Sequence, residues 1–367
     1  MTLIAAFTVG NTPVLIGDIA ISAPETEQYI HIPTVGMSTE VFPEGSGWTI
    51  TDVRQKIAII GSNIMIAMAG SFVAGRTVIK ELIKRNEQST FTEAHLLDFF
   101  VEAKEWVAKQ EVYFLGFIQD DDGIKPFCQS FNGKNCVEVI SLRYGSVQLC
   151  GTGTYDMQEL IQTIANQKSS NSKSVNNFQS AVFEALSLCG VLYTREMVTQ
   201  KSLSQFYGGA YEISLWNGKK FQKLEEITYL TWLVKNKNNY VGLAPKFFKV
   251  SYIKDILLVY ILNFDGTWWL DGDTVCYGLP DENICIQTIE PIYRDLYDGE
   301  PSFGVPVLDS RYYCNTLVFS TEDSHQLGFV LKNEGLCFVP VTNPRYMKVN
   351  NSLLSRILEL SALSESN

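Results

Sequence analysis

Histidine is almost absent from this chain: His31, His95 and His325 are the only three in 367 residues, and none stands at ligand spacing from another. The eight cysteines (128, 136, 150, 189, 276, 285, 314 and 337) contain no CxxC pair. A zinc site is therefore not expected, and nothing else in the sequence calls for a metal or cofactor. Spacing leaves a Cys–His peptidase open, because its partners meet in space. Several cysteines lie in apolar strand-like runs, such as Cys150 in SVQLCG and Cys285 in NICIQTI. Buried reduced thiols, rather than a disulfide framework, are the expectation.

Positive charge is also short, with 29 Lys+Arg against 40 Asp+Glu and a net charge of −11. So acidic a chain lacks the basic footprint that phosphate neutralisation demands, and nucleic acid is not an expected partner. Long hydrophobic runs are missing too. Asn263 breaks the run Ile256 to Phe264, and Gly70 and Ser71 interrupt Ile64 to Gly75. Neither approaches the roughly 18 residues a membrane helix needs. MTLIAAFTVG has no positive n-region and no small-residue cleavage site, so a cytoplasmic protein without a secretory signal is expected. What the chain does have is 46% hydrophobic and 12% aromatic residues, too apolar for disorder and enough for two domains.

Apolar runs at 3–9 and 13–19 flank Gly10-Asn11-Thr12, a hairpin signal because Gly and Asn tolerate positive φ. Residues 20–52, rich in Pro and Gly, predict irregular chain. Strands are expected at 56–60 and 64–69, followed by a helix in which Val73, Val78, Ile79, Leu82 and Ile83 fall at helical spacing. A second helix covers about 92–110. Four strands follow (112–119, 124–131, 135–142, 145–150), then helices at 155–166 and 177–194, then strands at 209–216 and 220–224. Helix pairs alternating with antiparallel meanders predict an α+β fold with helices on both faces of stacked sheets. Residues 227–367 read as a second, mostly β domain, after a helix at 226–236 and before a terminal helix near 351–363. The division expected is thus 1–226 and 227–367. Asp-Gly pairs at 265, 271 and 298 fit no EF-hand spacing and read as turns.

Chemistry is suggested at the start of the chain. Thr2 follows Met1, and a Thr at a free N-terminus carries a hydroxyl nucleophile and an α-amine of pKa about 7.7–8.0. The amine can serve as general base to the hydroxyl, so no histidine is needed. Asp18 interrupts a buried strand pattern and needs a partner, and Lys56 opens the next strand. A Lys held charged by an Asp beside the nucleophile would lower its proton affinity. Read alone, Thr2 is commonplace, and Asp18 and Lys56 are equally an unrelated strand-end carboxylate and a solvated lysine.

Four segments bear on this choice: MTLIAAFTVGNTPVLIGDIAIS, VRQKIAIIGSNIMIAMAGSFVAGRTVIKELI, LCGTGTYDMQELI and YGGAYEISLWNGKKFQKL. In content and order they resemble proteasome β-subunits and the related bacterial peptidase of ATP-dependent proteolysis, members of the N-terminal nucleophile hydrolases. The resemblance spans about residues 2–226 and implies a four-layer αββα sandwich, with the rest a β-rich extension. It implies Thr2 as nucleophile once Met1 is removed, Lys56 as the pKa-lowering group and Asp18 as its orienting partner. Gly70 would supply an oxyanion-hole N–H, and Thr152 would replace a Ser that bonds the terminal amine. Peptide or protein substrates, assembly into a homo-oligomer and a ring ATPase partner are also implied. Two departures stand out. Lys56 lies 38 positions after Asp18 (56 − 18), a longer gap than the family usually has. Ser204 and Tyr207 stand where eukaryotic-type subunits carry an Asp and a Ser. The alternative is a catalytically inactive proteasome-like scaffold or binding protein.

Overall fold

A computed structural model describes residues 2–350, apart from 25–29, 43–44, 108, 134–135, 166–176, 236–239, 242–245, 263–267, 272–273, 279–283, 293–309, 321–324, 331–335 and 339–345. The chain divides into two compact units. The first comprises Met1–Cys189, Arg195–Leu224 and Glu290–Tyr297, and the second Gly190–Thr194, Glu225–Ile289 and Asp298–Asn367. Five α-helices and several sheets among the described residues make the fold α+β.

The first unit opens with strands β1 (Leu3–Val9) and β2 (Thr12–Asp18), joined at Gly10-Asn11 and paired antiparallel with Ile4 opposite Gly17. Short strands follow: β3 (Ala20–Pro24), β4 (His31–Ile32), β5 (Gly36–Met37) and β6 (Trp48–Val53). Next come β7 (Ile57–Ile60), β8 (Ile64–Gly70), α1 (Phe72–Gln88) and α2 (Glu93–Val107). A meander of β9 (Val112–Asp120), β10 (Gly123–Phe131), β11 (Val137–Ser141) and β12 (Gly145–Gly151) leads to α3 (Thr154–Ala165), α4 (Asn177–Thr199) and α5 (Lys201–Ser204). Strands β13 (Tyr211–Trp216) and β14 (Phe221–Lys223) come after these helices. One sheet has the order β11-β12-β1-β2-β13-β14, and a second β10-β9-β8-β7.

Period-two alternation explains how these sheets are filled. Met65, Ala67 and Ala69 of β8, with Leu115 and Phe117 of β9, pack against Ile4, Ala6 and Leu15 of the first sheet. The intervening Ile64, Ile66, Met68, Phe114 and Ile118 face the other way, onto Val78, Ile79 and Leu82 of α1 and Leu96, Phe99 and Phe100 of α2. A strand buried on both faces must be apolar at every position, which is why IMIAMA carries no polar residue. Ser71 caps α1 by accepting from the Ala74 N–H at 3.5 Å. Helix α3 packs on β11 and β12.

Three expectations need correction. Residues 20–52 are not wholly irregular, because β3 pairs with β6 and β4 with β5. Ala20, Ile32, Phe42 and Ile50 form a small core of their own, closed by Leu203 and the stacked Phe206 ring at 5.3 Å from Phe42. Cys136 and Cys150 form a disulfide, where reduced thiols were expected; Cys136 leads into β11, which pairs with the β12 strand of Cys150, a register invisible from composition. Finally, a strand, Ile227–Lys235, stands where a helix is expected at 226–236: ITYLTWLVK is rich in β-branched and aromatic residues, which favour the pleated sheet.

That strand, β15 (Ile227–Lys235), belongs to the second unit with β16 (Tyr240–Val241), β17 (Lys246–Ile253), β18 (Ile256–Leu262), β19 (Trp268–Asp271), β20 (Thr274–Gly278) and β21 (Ile284–Ile289). Strands β22 (Tyr312–Ser320), β23 (His325–Val330), β24 (Leu336–Phe338) and β25 (Tyr346–Asn350) follow. They form a sheet ordered β21-β18-β17-β15-β22-β23, with β16 on β15, and another ordered β19-β20-β25-β24. The pair β15–β22 is parallel. Trp232 donates its indole N–H to Asn315 at 3.1 Å, and Lys249 pairs with Glu226 at 2.8 Å. The helix expected at 351–363 lies outside the described residues. Among the described residues, no helix is long and apolar enough to cross a membrane.

Gly116, mid-β9, gives a direct test of this packing. A Cβ there would sit 2.1 Å from the Met65 carbonyl oxygen and 2.6 Å from the Phe127 ring. Gly116→Ala is expected to lower unfolding free energy by about 1–3 kcal/mol, the usual cost of overpacking, in a urea titration.

Candidate active site

Thr2, Asp18 and Lys56 converge in the first unit. Residue 2 leads into β1, Asp18 ends β2 beside it, and Lys56 immediately precedes β7 in the other sheet. All three are buried, at 1%, 0% and 2% exposure. The Lys56 Nζ donates to Asp18 Oδ1 at 2.7 Å, to the Ala20 carbonyl at 2.6 Å and to Thr2 Oγ1. An ammonium has three protons, and here each has an acceptor. The Thr2 hydroxyl in turn donates to Asp18 Oδ1.

Asp18 is an organiser as well as a counter-ion. Its Oδ1 also accepts the Leu3 N–H at 2.8 Å, and its Oδ2 accepts those of Ala20 at 3.1 Å and Gly208 at 2.9 Å. Burial lowers the Lys56 pKa, opposed by the charge and hydrogen bond of Asp18. An ammonium in that balance sheds its proton more readily than a solvated lysine, yet stays attracted to the carboxylate.

The other expected residues are placed as follows. The Met68 N–H bonds the Lys56 carbonyl at 3.0 Å, and Gly70 ends β8 two residues later, at φ +86°. Gly70 thus precedes the cap of α1, close to the strand that Lys56 introduces. Thr152 directs its hydroxyl to the Thr2 carbonyl at 3.5 Å, not to the Thr2 nitrogen. The Gly153 N–H reaches the same carbonyl at 3.2 Å. At Gly151, φ is +102° and a Cβ would lie 2.0 Å from that oxygen, so only glycine fits. Ser204 and Tyr207 turn elsewhere: Ser204 bonds the Lys201 carbonyl, and the Tyr207 hydroxyl bonds Asp156 at 2.6 Å.

Sequence reasoning missed two buried carboxylates around this cluster. Glu212 of β13 accepts the N–H groups of Lys56 and Ile57 at 2.6 and 3.2 Å and pairs with Lys223 at 2.8 Å. It fixes the backbone of Lys56 while Asp18 holds the head. Glu196 of α4 accepts from Thr34, from Ser202 at 2.7 Å and from the Gly209 N–H at 2.8 Å. It therefore links the 20–52 segment to the Gly208-Gly209 turn that serves Asp18. A signal for Glu196 existed, since Cys189, Leu192, Tyr193 and Glu196 share one helical stripe on which a carboxylate is out of place.

Burial pushes the Glu196 pKa up to about 7, against the hydrogen bonds of Thr34, Ser202 and Gly209 and with help from the Asp18 charge. Between about pH 4.5 and 7 the folded chain holds a proton that the unfolded chain has released, so stability falls as pH rises through that window. Glu196→Gln removes this dependence. Its stability relative to wild type should therefore improve as pH rises from about 5 to 8, read by denaturant unfolding at several pH values.

No protein-family model matches the chain, and no curated protein matches it by sequence. Among solved structures, a eukaryotic HslV from Trypanosoma brucei is similar at 14% identity and a TM-score of 0.34, over 58% of this chain and 98% of that one.

Proposed function

We infer that residues 1–226 form a four-layer αββα domain of the N-terminal nucleophile type, acting as a threonine hydrolase on peptide bonds, with 227–367 a separate β-rich domain. The observation that carries this reading is the buried Thr2–Asp18–Lys56 cluster, in which a hydroxyl, an ammonium and a carboxylate share hydrogen bonds. While Met1 is attached, the Thr2 nitrogen is an amide and cannot act as a base. Cleavage of the Met1–Thr2 bond frees an amine of pKa about 7.7–8.0 next to the hydroxyl. Thr2 Oγ1 would then attack the substrate carbonyl and pass its proton to that amine, directly or through one water. Lys56 stabilises the oxygen as charge develops, and the Gly70 N–H is the candidate donor to the oxyanion. The amine protonates the leaving nitrogen, and water hydrolyses the ester left on Thr2.

A second reading, an inactive scaffold of the same fold, is favoured by Ser204 and Tyr207. Their hydroxyls are engaged by Lys201 and Asp156 rather than available to a terminal amine. The two readings separate cleanly on protein whose N-terminal residue has been shown by intact mass to be Thr2. Thr2→Ala should abolish peptide hydrolysis and labelling by a peptide epoxyketone, whose ring closure needs both hydroxyl and amine. Thr2→Ser should retain part of both. Unchanged hydrolysis in Thr2→Ala together with an unlabelled wild type would establish the scaffold.

Lys56→Ala should lower kcat/KM on the order of 10²-fold or more, and Lys56→Arg should restore little, since a planar fork does not replace a compact ammonium. Because the Lys56 pKa lies below the usual 10.5, activity should decline on the alkaline side earlier than an unperturbed lysine would require. Ring assembly, a ring ATPase partner and a cytoplasmic setting rest on the resemblance and composition alone. A monomer by light scattering at micromolar concentration would remove the first two.

A further inference from the structure

Three sulfurs meet at the edge of the inter-sheet core, away from any role assigned above. Cys128 lies in β10 opposite Leu115, Cys136 immediately precedes β11, and Cys150 lies in β12 opposite Ile4. Their Sγ atoms are all within 4.8 Å of one another, although the cysteines come from both sheets. Cys136 and Cys150 are joined, and Cys128 is free. We propose that, once the Cys136–Cys150 bond is reduced, the three sulfurs form a thiolate site for a zinc-type divalent cation, with water as fourth ligand.

The distances suit such an ion. Zn–S bonds of about 2.3 Å in a tetrahedron place sulfurs about 3.8 Å apart, within small side-chain adjustment of the spacing here. Exposure is graded across the trio: Cys150 is buried, Cys136 half-buried and Cys128 exposed. One side is thus anchored in the core, and the other faces solvent, where a water ligand can sit. The Cys136 N–H donates to the Cys128 sulfur, a bond that favours the anion, whereas burial around the sulfur raises its pKa. A cation offsets that burial and displaces the thiol protons. The chemistry balances with a dithiol or phosphine reductant. Two electrons and two protons convert the disulfide to two thiols while the reductant is oxidised, and three protons leave as the cation binds.

Full-length protein reduced with a phosphine and titrated with Cd²⁺ gives a direct readout through the thiolate-to-cadmium ultraviolet band. The band should saturate at one ion per chain, reverse with excess Zn²⁺, be absent from unreduced protein, and lose intensity and affinity in both Cys128→Ser and Cys136→Ser, which leave two of the three thiolates. Cys285→Ser, remote from the trio in sequence and in another sheet, should leave it intact. On the wild-type chain, Zn²⁺ should protect Cys128, Cys136 and Cys150 from alkylation while Cys285 reacts as before. A non-saturating band, a band of undiminished intensity and affinity in either trio variant, or alkylation unaffected by Zn²⁺ would overturn the site.

Discussion

The burial of one ammonium constrains the first unit more than any other interaction. Lys56 loses its water, and three acceptors replace it: a carboxylate, a hydroxyl and a backbone carbonyl. Removing one partner of such a buried pair typically costs about 3–5 kcal/mol, because the remaining charge is left uncompensated. The requirement propagates outward. To receive Lys56, Asp18 must end β2, Ala20 must turn its carbonyl inward, and Glu212 of the neighbouring strand must hold the Lys56 backbone. A one-residue slip between β1 and β2 would turn Asp18 to the opposite face of the sheet and strand the lysine, so the ion pair also enforces register.

This carboxylate gathers separate stretches of chain. Donors reach Asp18 from residues 2, 3, 20, 56 and 208. Glu196 stands one step behind, joined through the Gly208-Gly209 turn and extending the network to Thr34 in the 20–52 segment. The segment is therefore more than a loop of unusual length. It has its own core around Ile32 and Ile50, and a polar tether to the helix behind the cluster.

What was legible in the sequence had local causes. The β1–β2 hairpin followed from two apolar runs around Gly10-Asn11, and α1 from the spacing of Val78, Ile79 and Leu82. The meeting of Thr2, Asp18 and Lys56 was legible only through resemblance, since residue types alone fitted unrelated positions equally well. The short strands around 20–52 were hidden because their pairing is held by tertiary contacts with Leu203 and Phe206, against a background of Pro and Gly. The helix expected at 226–236 rests on a short apolar run that suits either period, and pairing of Ile227–Lys235 with β17 and β22 decides for sheet. Glu196, Glu212 and the cysteine trio are constellations of distant residues, and no window of sequence contains them.

The crowding around Thr2 has a practical side. Its carbonyl is held by Thr152 and Gly153, its side chain lies inside the cluster, and a single methyl at Gly151 would collide with it. A change as small as Gly151→Ala would therefore disturb the organising centre of the fold, so a mutational scan would score Gly151 as though it belonged to the cluster it only touches.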